Sequence, residues 1–246
     1  MIKILAISAS PRKERNTEKL IEAVLEGCLS AEKIIADLEK DRASEKASLN
    51  GSDLQEEAFH HKTDLHGEAE PLVETKLIRV SEAKAENFKL CRGCWACAKT
   101  GRCVCGDDYI SEIYRQISLA DGIILGTPVF FFDVTAQCKA IIDRSLAYTP
   151  AGTGKAAAAV VTAGSVGITG ALQTLQSFFS AHGFTDTGWT ATYGKTDDKI
   201  KGKETAASLG RKLVCTAWML KNTGYTEEFL KAMVHTNHFA YGTHTF

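Results

Sequence analysis

Apolar residues in this chain fall into two rhythms that alternate along its length. Unbroken runs occur at residues 2–7 (Ile-Lys-Ile-Leu-Ala-Ile), at Gly122-Ile-Ile-Leu-Gly126 and at Ala156–Val161. Runs this short, rich in branched or small apolar residues, predict strands buried on both faces. Between them, apolar positions recur every three or four residues, as expected of helices with one buried stripe. Leu20, Ile21, Val24, Leu25, Cys28 and Leu29 form the first stripe, and Ile110, Ile113, Tyr114 and Ile117 form another over about Asp108–Leu119. Further helices are predicted through Lys139, Ile141, Ile142 and Leu146, over Gly170–His182, and over Glu204–Lys221. Two weaker strands are predicted at Leu77–Val80 and Gly188–Tyr193.

Strands alternating with helices imply a parallel sheet covered on both sides. Five strands fit a doubly wound α/β fold with the flavodoxin-like order 2-1-3-4-5, in which ligands bind beyond the carboxyl ends of the strands. Two stretches stand outside this rhythm. Residues 39–76 are polar and charged and read as an insertion, with a short helix around Leu54–Leu65 as one reading. The chain is therefore divided into a flavodoxin-like unit at 1–222 and a C-terminal extension at 223–246, which carries His235, His238 and His244.

Composition narrows the function classes. The chain is 246 residues long, 44% hydrophobic and 24% charged, with a net charge of −1. That balance is no platform for nucleic acid or an anionic membrane. No apolar run reaches the ~18 residues that span a bilayer, and the apolar start is too short for a secretory signal. The expected location is the cytoplasm. Disulfides are then a poor explanation for eight cysteines. Five of the eight lie between positions 91 and 105, which points to metal or redox chemistry.

Three loops at predicted strand ends carry candidate binding residues. The first, Ser8-Ala-Ser10-Pro11-Arg12 through Asn16-Thr17, opens a helix. The N–H groups and dipole of a helix start favour an anion, the hydroxyls and Asn16 add donors, and Arg12 adds a charged contact. Hydroxyl donors suit a monophosphate; simple capping of the helix is the plainer alternative. The second loop, Thr127–Val134, contains Pro128, Val129, Phe130, Phe131, Phe132 and Asp133. Three successive phenylalanines cannot all face the core, so one or more is expected to line a cleft for a flat ring or a subunit contact. The third, Ala163-Gly164-Ser165, permits close backbone approach to the far side of a ligand.

The sharpest feature is Cys91-Arg-Gly-Cys94-Trp-Ala-Cys97, followed by Cys103. Three thiolates at x2 spacing can hold three corners of a cuboidal cluster, and Cys103 can close the fourth after a turn at Gly101. Structural zinc separates its two Cys-x2-Cys knuckles by a dozen residues or more, so a [4Fe–4S] cluster fits better than zinc. Thiols without metal remain a third reading, and Cys105 is a nearby spare. Cys28, Cys138 and Cys215 sit on apolar helix faces and read as small core residues. Arg144 is expected to pair with Asp143 or another neighbour, and no side chain is nominated as nucleophile or general base.

Together these segments resemble the iron–sulfur flavoprotein family within the NADPH-dependent FMN reductase-like group. The resemblance rests on Ser8-x-Ser-Pro-Arg12 with Asn16-Thr17, on the Cys-x2-Cys-x2-Cys-x5-Cys run leading to Asp107-Asp108, and on Pro128-Val-Phe130 with Lys139 and Asp143-Arg144. Val166 and Gly167 stand where that family often has a basic residue. The resemblance implies bound FMN, a homodimer or homotetramer, and electron passage between cluster and flavin. Expected partners are a small redox protein such as ferredoxin or a small-molecule acceptor, with NAD(P)H as a further candidate. The alternatives are a cluster-free NAD(P)H-dependent FMN or quinone reductase, a flavodoxin-like carrier without turnover, and a zinc-stabilised interaction module.

Overall fold

The computed structural model describes residues 1–49, 71–194, 203–223 and 227–232. The core of the predicted insertion, its Leu54–Leu65 helix, and the three C-terminal histidines lie outside these residues. Five strands form one parallel sheet in the order β2-β1-β3-β4-β5, as predicted: β1 (Ile2–Ser8), β2 (Val73–Arg79), β3 (Gly122–Pro128), β4 (Ala156–Ala163) and β5 (Thr185–Tyr193). The helices are α1 (Asn16–Ser30), α2 (Glu32–Leu49), α3 (Ala96–Thr100), α4 (Tyr109–Leu119), α5 (Ala136–Asp143), α6 (Ile168–Ala181), α7 (Lys203–Asn222) and α8 (Glu227–Ala232).

β3 and β4 are buried along their whole length because each lies between two strands and under helices on both faces. The sheet splits the core in two. On one side Ile2, Ile4, Ala6, Ile124, Ala158 and Val160 pack against the apolar stripes of α1 and α7. On the other, Leu5, Ile7, Ile123, Leu125, Ala157 and Val161 meet α4, α5 and α6.

Several boundaries differ from the sequence reading. β2 starts at Val73, where it pairs with Ile2, rather than at Leu77. It is an edge strand, and its Glu74 and Lys76 face outward, so it lacks the unbroken apolar run of an inner strand. Likewise α2 carries the chain to Leu49, and regular structure therefore occupies both described ends of the predicted insertion. β5 begins at Thr185, three residues early, and a register shift between Ala157 and Ala159 interrupts its pairing with β4. α5 stops at Asp143 rather than reaching Leu146, which lies in a 3-10 turn over Ser145–Tyr148.

The strand order creates a reversal point. From β1 the chain moves to β2 on one side, then returns to place β3 on the other. The loops leaving β1, β3 and β4 consequently lie side by side at the carboxyl edge, where the crevice of a doubly wound fold opens.

Candidate functional site

The loop after β1 is built as a tight turn on its own donors. Ser8 is the last residue of β1 and is buried, and Ser10 is buried as well. The Arg12 N–H donates to Ser10 Oγ at 3.1 Å, and Ser10 Oγ–H donates to the Arg12 carbonyl at 3.0 Å. Pro11 is half-buried, and the Arg12 side chain is free to reach outward. Arg15, not a hydroxyl residue, occupies the position that caps α1, and it makes no side-chain cap bond. The plain reading that Ser, Asn and Thr serve only to cap this helix is therefore corrected. Thr17 instead reaches across the sheet edge, its Oγ1 2.7 Å from Thr162 Oγ1 at the end of β4. Asn16 Nδ2 donates to the Gly194 carbonyl at 2.6 Å, tying the loop to the end of β5.

The same loop is anchored from two further sides that the sequence did not disclose. Thr135 Oγ1 donates to the Ala9 carbonyl at 2.8 Å, joining it to the loop after β3. Buried Glu18 accepts the Glu14 N–H at 2.9 Å and pairs with Arg79 at the end of β2. The turn after β1 is thus tied to the ends of β2, β4 and β5 and to the loop after β3.

The loop after β3 has an unusual tip. Phe130 and Asp133 face each other across a backbone bridge, with the Phe130 N–H donating to Asp133 at 2.9 Å. The two residues between them, Phe131 and Phe132, both have positive φ, +47° and +72°. Positive φ at both central positions is the type I′ hairpin geometry that Asn-Gly normally supplies. Bulky side chains in that region are strained, by about 1–3 kcal/mol each. All three phenylalanines stand outside the core, Phe131 at 95% exposure. The tip rests on the start of α6: a Cβ on Gly170 would meet the Phe132 carbonyl oxygen at 2.5 Å, so only glycine fits there. In the loop after β4, Ala163 is buried while Gly164 and Ser165 are exposed beside this tip.

The cysteine segment lies beyond β2, between a 3-10 turn at Ala85–Asn87 and α4. Cys91 and Cys94 are exposed, and Cys97 and Cys103 are half-buried. Short helix α3 ends at Gly101 in the left-handed conformation, the turn expected between Cys97 and Cys103. The four sulfur-bearing residues and Cys105 line one cavity of about 360 Å³ whose inner wall includes Arg144. Among the described residues no three His, Cys, Asp or Glu side chains converge on a point fit for a single metal ion. A cuboidal cluster makes a different demand, four thiolates spread around a volume, and the lining of this cavity includes four cysteines, the donor type such a cluster takes.

Of the partners expected for Arg144, Asp143 or another neighbour, the structure gives another residue, Asp108. Asp143 pairs with Lys139. The Arg144 side chain is fully buried and pairs with Asp108, whose side chain is 1% exposed. Arg144 also donates from Nη1 to the Lys89 carbonyl at 3.1 Å and from Nη2 to Ser111 Oγ at 3.3 Å. Asp108 caps α4 by accepting the Ser111 N–H at 3.0 Å. Burial alone would raise the Asp108 carboxyl, but Arg144, the N–H groups of Ser111 and Lys89, and the Ser111 hydroxyl together hold it below its ordinary value. Burial pushes the Cys103 thiol up, yet the Cys105 backbone and the Arg144 guanidinium bring its pKa down overall. By contrast, burial drives Cys28 and Cys138 up to about 12, consistent with inert packing. Cys215, predicted to pack likewise, is only half-buried.

Comparison with known proteins bears on the family and the fold of the chain. The family described as NADPH-dependent FMN reductase matches residues 63–193, more than half of the chain. An iron–sulfur flavoprotein of Methanocaldococcus jannaschii is 28% identical over 237 residues, spanning 89% of this chain and 100% of the relative. Another, from Methanosarcina thermophila, is 32% identical over 145 residues, 59% of this chain and 53% of its own length. Among solved structures, an NADH:FMN oxidoreductase in its apo form superposes with a TM-score of 0.51 at 21% identity, covering 86% of this chain and 89% of that one. At that identity the structural likeness speaks for the fold alone.

Proposed function

The chain belongs to the NADPH-dependent FMN reductase family and is a flavin-dependent oxidoreductase, and from that premise we propose that it relays electrons between a [4Fe–4S] cluster and FMN. The observation that carries the finer reading is the cavity walled by Cys91, Cys94, Cys97 and Cys103 with a buried guanidinium behind it. Two relatives are named iron–sulfur flavoproteins, which supports the same reading. Within the chain, residues 1–222 act as the flavin-binding unit and 223–246 as an extension.

In this reading the turn after β1 holds the FMN phosphate. The first turn of α1 offers its N–H groups and dipole, Ser8, Ser10, Asn16 and Thr17 contribute the polar lining, and Arg12 swings in as the mobile charge. Pro128, Val129, Phe130, Phe131, Phe132 and Asp133 flank the ring, with Ala163, Gly164 and Ser165 on its other side. Apolar Phe130 and Phe132 exclude water from one face, and the strained tip presents its aromatic surface without a conformational search. When bound, FMN supplies both one- and two-electron chemistry, whereas the cluster supplies single electrons. The two proposed sites sit at opposite ends of α5, an eight-residue helix about 12 Å long. A small redox protein such as ferredoxin, NAD(P)H or a small-molecule acceptor exchanges electrons with the pair, and the chain works as a homodimer or homotetramer. Near-neutral charge disfavours nucleic acid and membrane surfaces as partners. Among the described residues no helix is long and apolar enough to cross a membrane.

A second reading, a cluster-free NAD(P)H-dependent reductase, is favoured by the exposure of Cys91 and Cys94. Stepwise anaerobic reduction, followed by optical and electron-paramagnetic spectra, separates the two. The relay predicts a paramagnetic reduced cluster alongside flavin bleaching, with reduction by either a ferredoxin-type or a pyridine-nucleotide donor. Flavin bleaching alone, with full NAD(P)H turnover after Cys94→Ala, contradicts it. Electron exchange with ferredoxin but no turnover with any small acceptor would instead indicate a carrier.

A further inference from the structure

Arg144 has more hydrogen-bonding capacity than its structural partners use. A guanidinium carries five N–H donors. Nη1 spends its two on Asp108 and the Lys89 carbonyl, and Nη2 directs one to Ser111. Nε is buried with no hydrogen-bond partner among the described residues. A buried, unsatisfied charged donor is costly, so proteins seldom leave one without a use. Arg144 lines the same cavity as Cys91, Cys94, Cys97 and Cys103. Its surroundings fix it there: Asp108 behind it, the Ser111 hydroxyl, which Tyr148 also donates to at 3.0 Å, and the Lys89 carbonyl.

We propose that Arg144 is the potential-setting residue of the cysteine cavity, donating its free N–H to a cluster sulfur and favouring the reduced, more negative state. This rests on the cluster reading above. Net charge, hydrogen bonds to sulfur and solvent exposure set the potential of such a centre. Here a guanidinium that is charged at every relevant pH supplies the first two on the buried side, while the exposed cysteines leave the other side to solvent. Asp108 offsets part of the charge but not the directed N–H. Asp143, which also lines the cavity, is paired with Lys139.

The test uses the full-length protein, purified without oxygen, in two measurements. Redox titration of the cluster compares wild type with Arg144→Gln and Arg144→Lys. The glutamine variant is expected to lower the equilibrium constant for reduction about tenfold, which for one electron is about 59 mV, with the lysine variant between. Pulsed electron-paramagnetic spectra of reduced wild type grown on nitrogen-15 arginine are expected to carry a nitrogen coupling that Arg144→Lys abolishes. A merely structural arginine moves neither readout. Cluster-bearing Arg144→Gln that titrates within twofold of wild type overturns the proposal. If that variant holds no cluster, absence of the nitrogen coupling in wild type overturns it. Wild type that binds FMN but neither iron nor sulfide removes the cluster reading and this inference together, an outcome separate from an intact cluster with an unmoved potential.

Discussion

The two ends of α5 are held in opposite ways. At its start, the loops after β1, β3 and β4 are locked by hydrogen bonds that cross between strands: Thr17 to Thr162, Thr135 to Ala9, and Asn16 to the end of β5. At its far end the cysteine segment has no strand of its own. Its cysteines are exposed or half-buried, and a buried ion pair, Arg144 with Asp108, reinforced by Lys89, ties it to the body. The first arrangement is a site built by the fold. The second is a segment whose thiols, under the cluster reading proposed above, would gain their shared geometry from the cluster, as in metal-coupled folding.

Breaking the exposed end should have the largest and most selective effect. Cys94→Ala is expected to abolish iron and sulfide binding while leaving FMN content unchanged, measured by metal, sulfide and flavin assays on one preparation. Equal loss of flavin would mean that the two ends are not independent.

Next in size is the tie between them. Asp108→Ala strands a buried guanidinium and removes the cap of α4, so a loss of about 3–5 kcal/mol is expected from denaturant unfolding. Because the folded Asp108 carboxyl lies below its ordinary 3.8, the pair contributes fully above that pH and its contribution is lost as pH falls through the lower, folded value. Wild type should lose stability steeply below about pH 4, and Asp108→Ala should show a shallower acid slope.

The aromatic tip sharpens the comparison, because its predicted signs differ. Replacing Phe131 and Phe132 with Asn and Gly supplies the residues this turn prefers and should raise stability by roughly 1–3 kcal/mol. FMN affinity should fall in the same variant. A stability gain with unchanged flavin binding would remove the tip from the flavin site. An effect of similar size is expected where the loop after β1 meets the end of β4. Thr17→Val leaves the Thr162 hydroxyl buried and unpaired, costing about 1–3 kcal/mol, and adding Thr162→Val should restore much of that loss.

The fold was legible because β1, β3 and β4 are buried runs and the intervening stripes have helical spacing. β2 was read late because an edge strand carries charge on its outer face, as Glu74 and Lys76 do. Candidate loops were legible because doubly wound folds bind at strand ends. What joins them was not: Thr17 and Thr162 lie 145 positions apart, and Arg144 and Asp108 lie 36 apart. One signal for Arg144 was present, since it continues the buried stripe of Ala140 and Ile141 on α5, where a charge needs a distant partner. Backbone strain at Phe131 and Phe132 leaves no such mark, because the sequence preferred by that turn is absent.

Cofactor content per chain tests the central claim most directly. Protein purified under strict exclusion of oxygen should contain about one FMN together with about four iron and about four acid-labile sulfide. Yellow protein that lacks iron, and that still lacks it after incubation with ferrous iron and sulfide, would contradict the relay and leave a simpler flavin reductase.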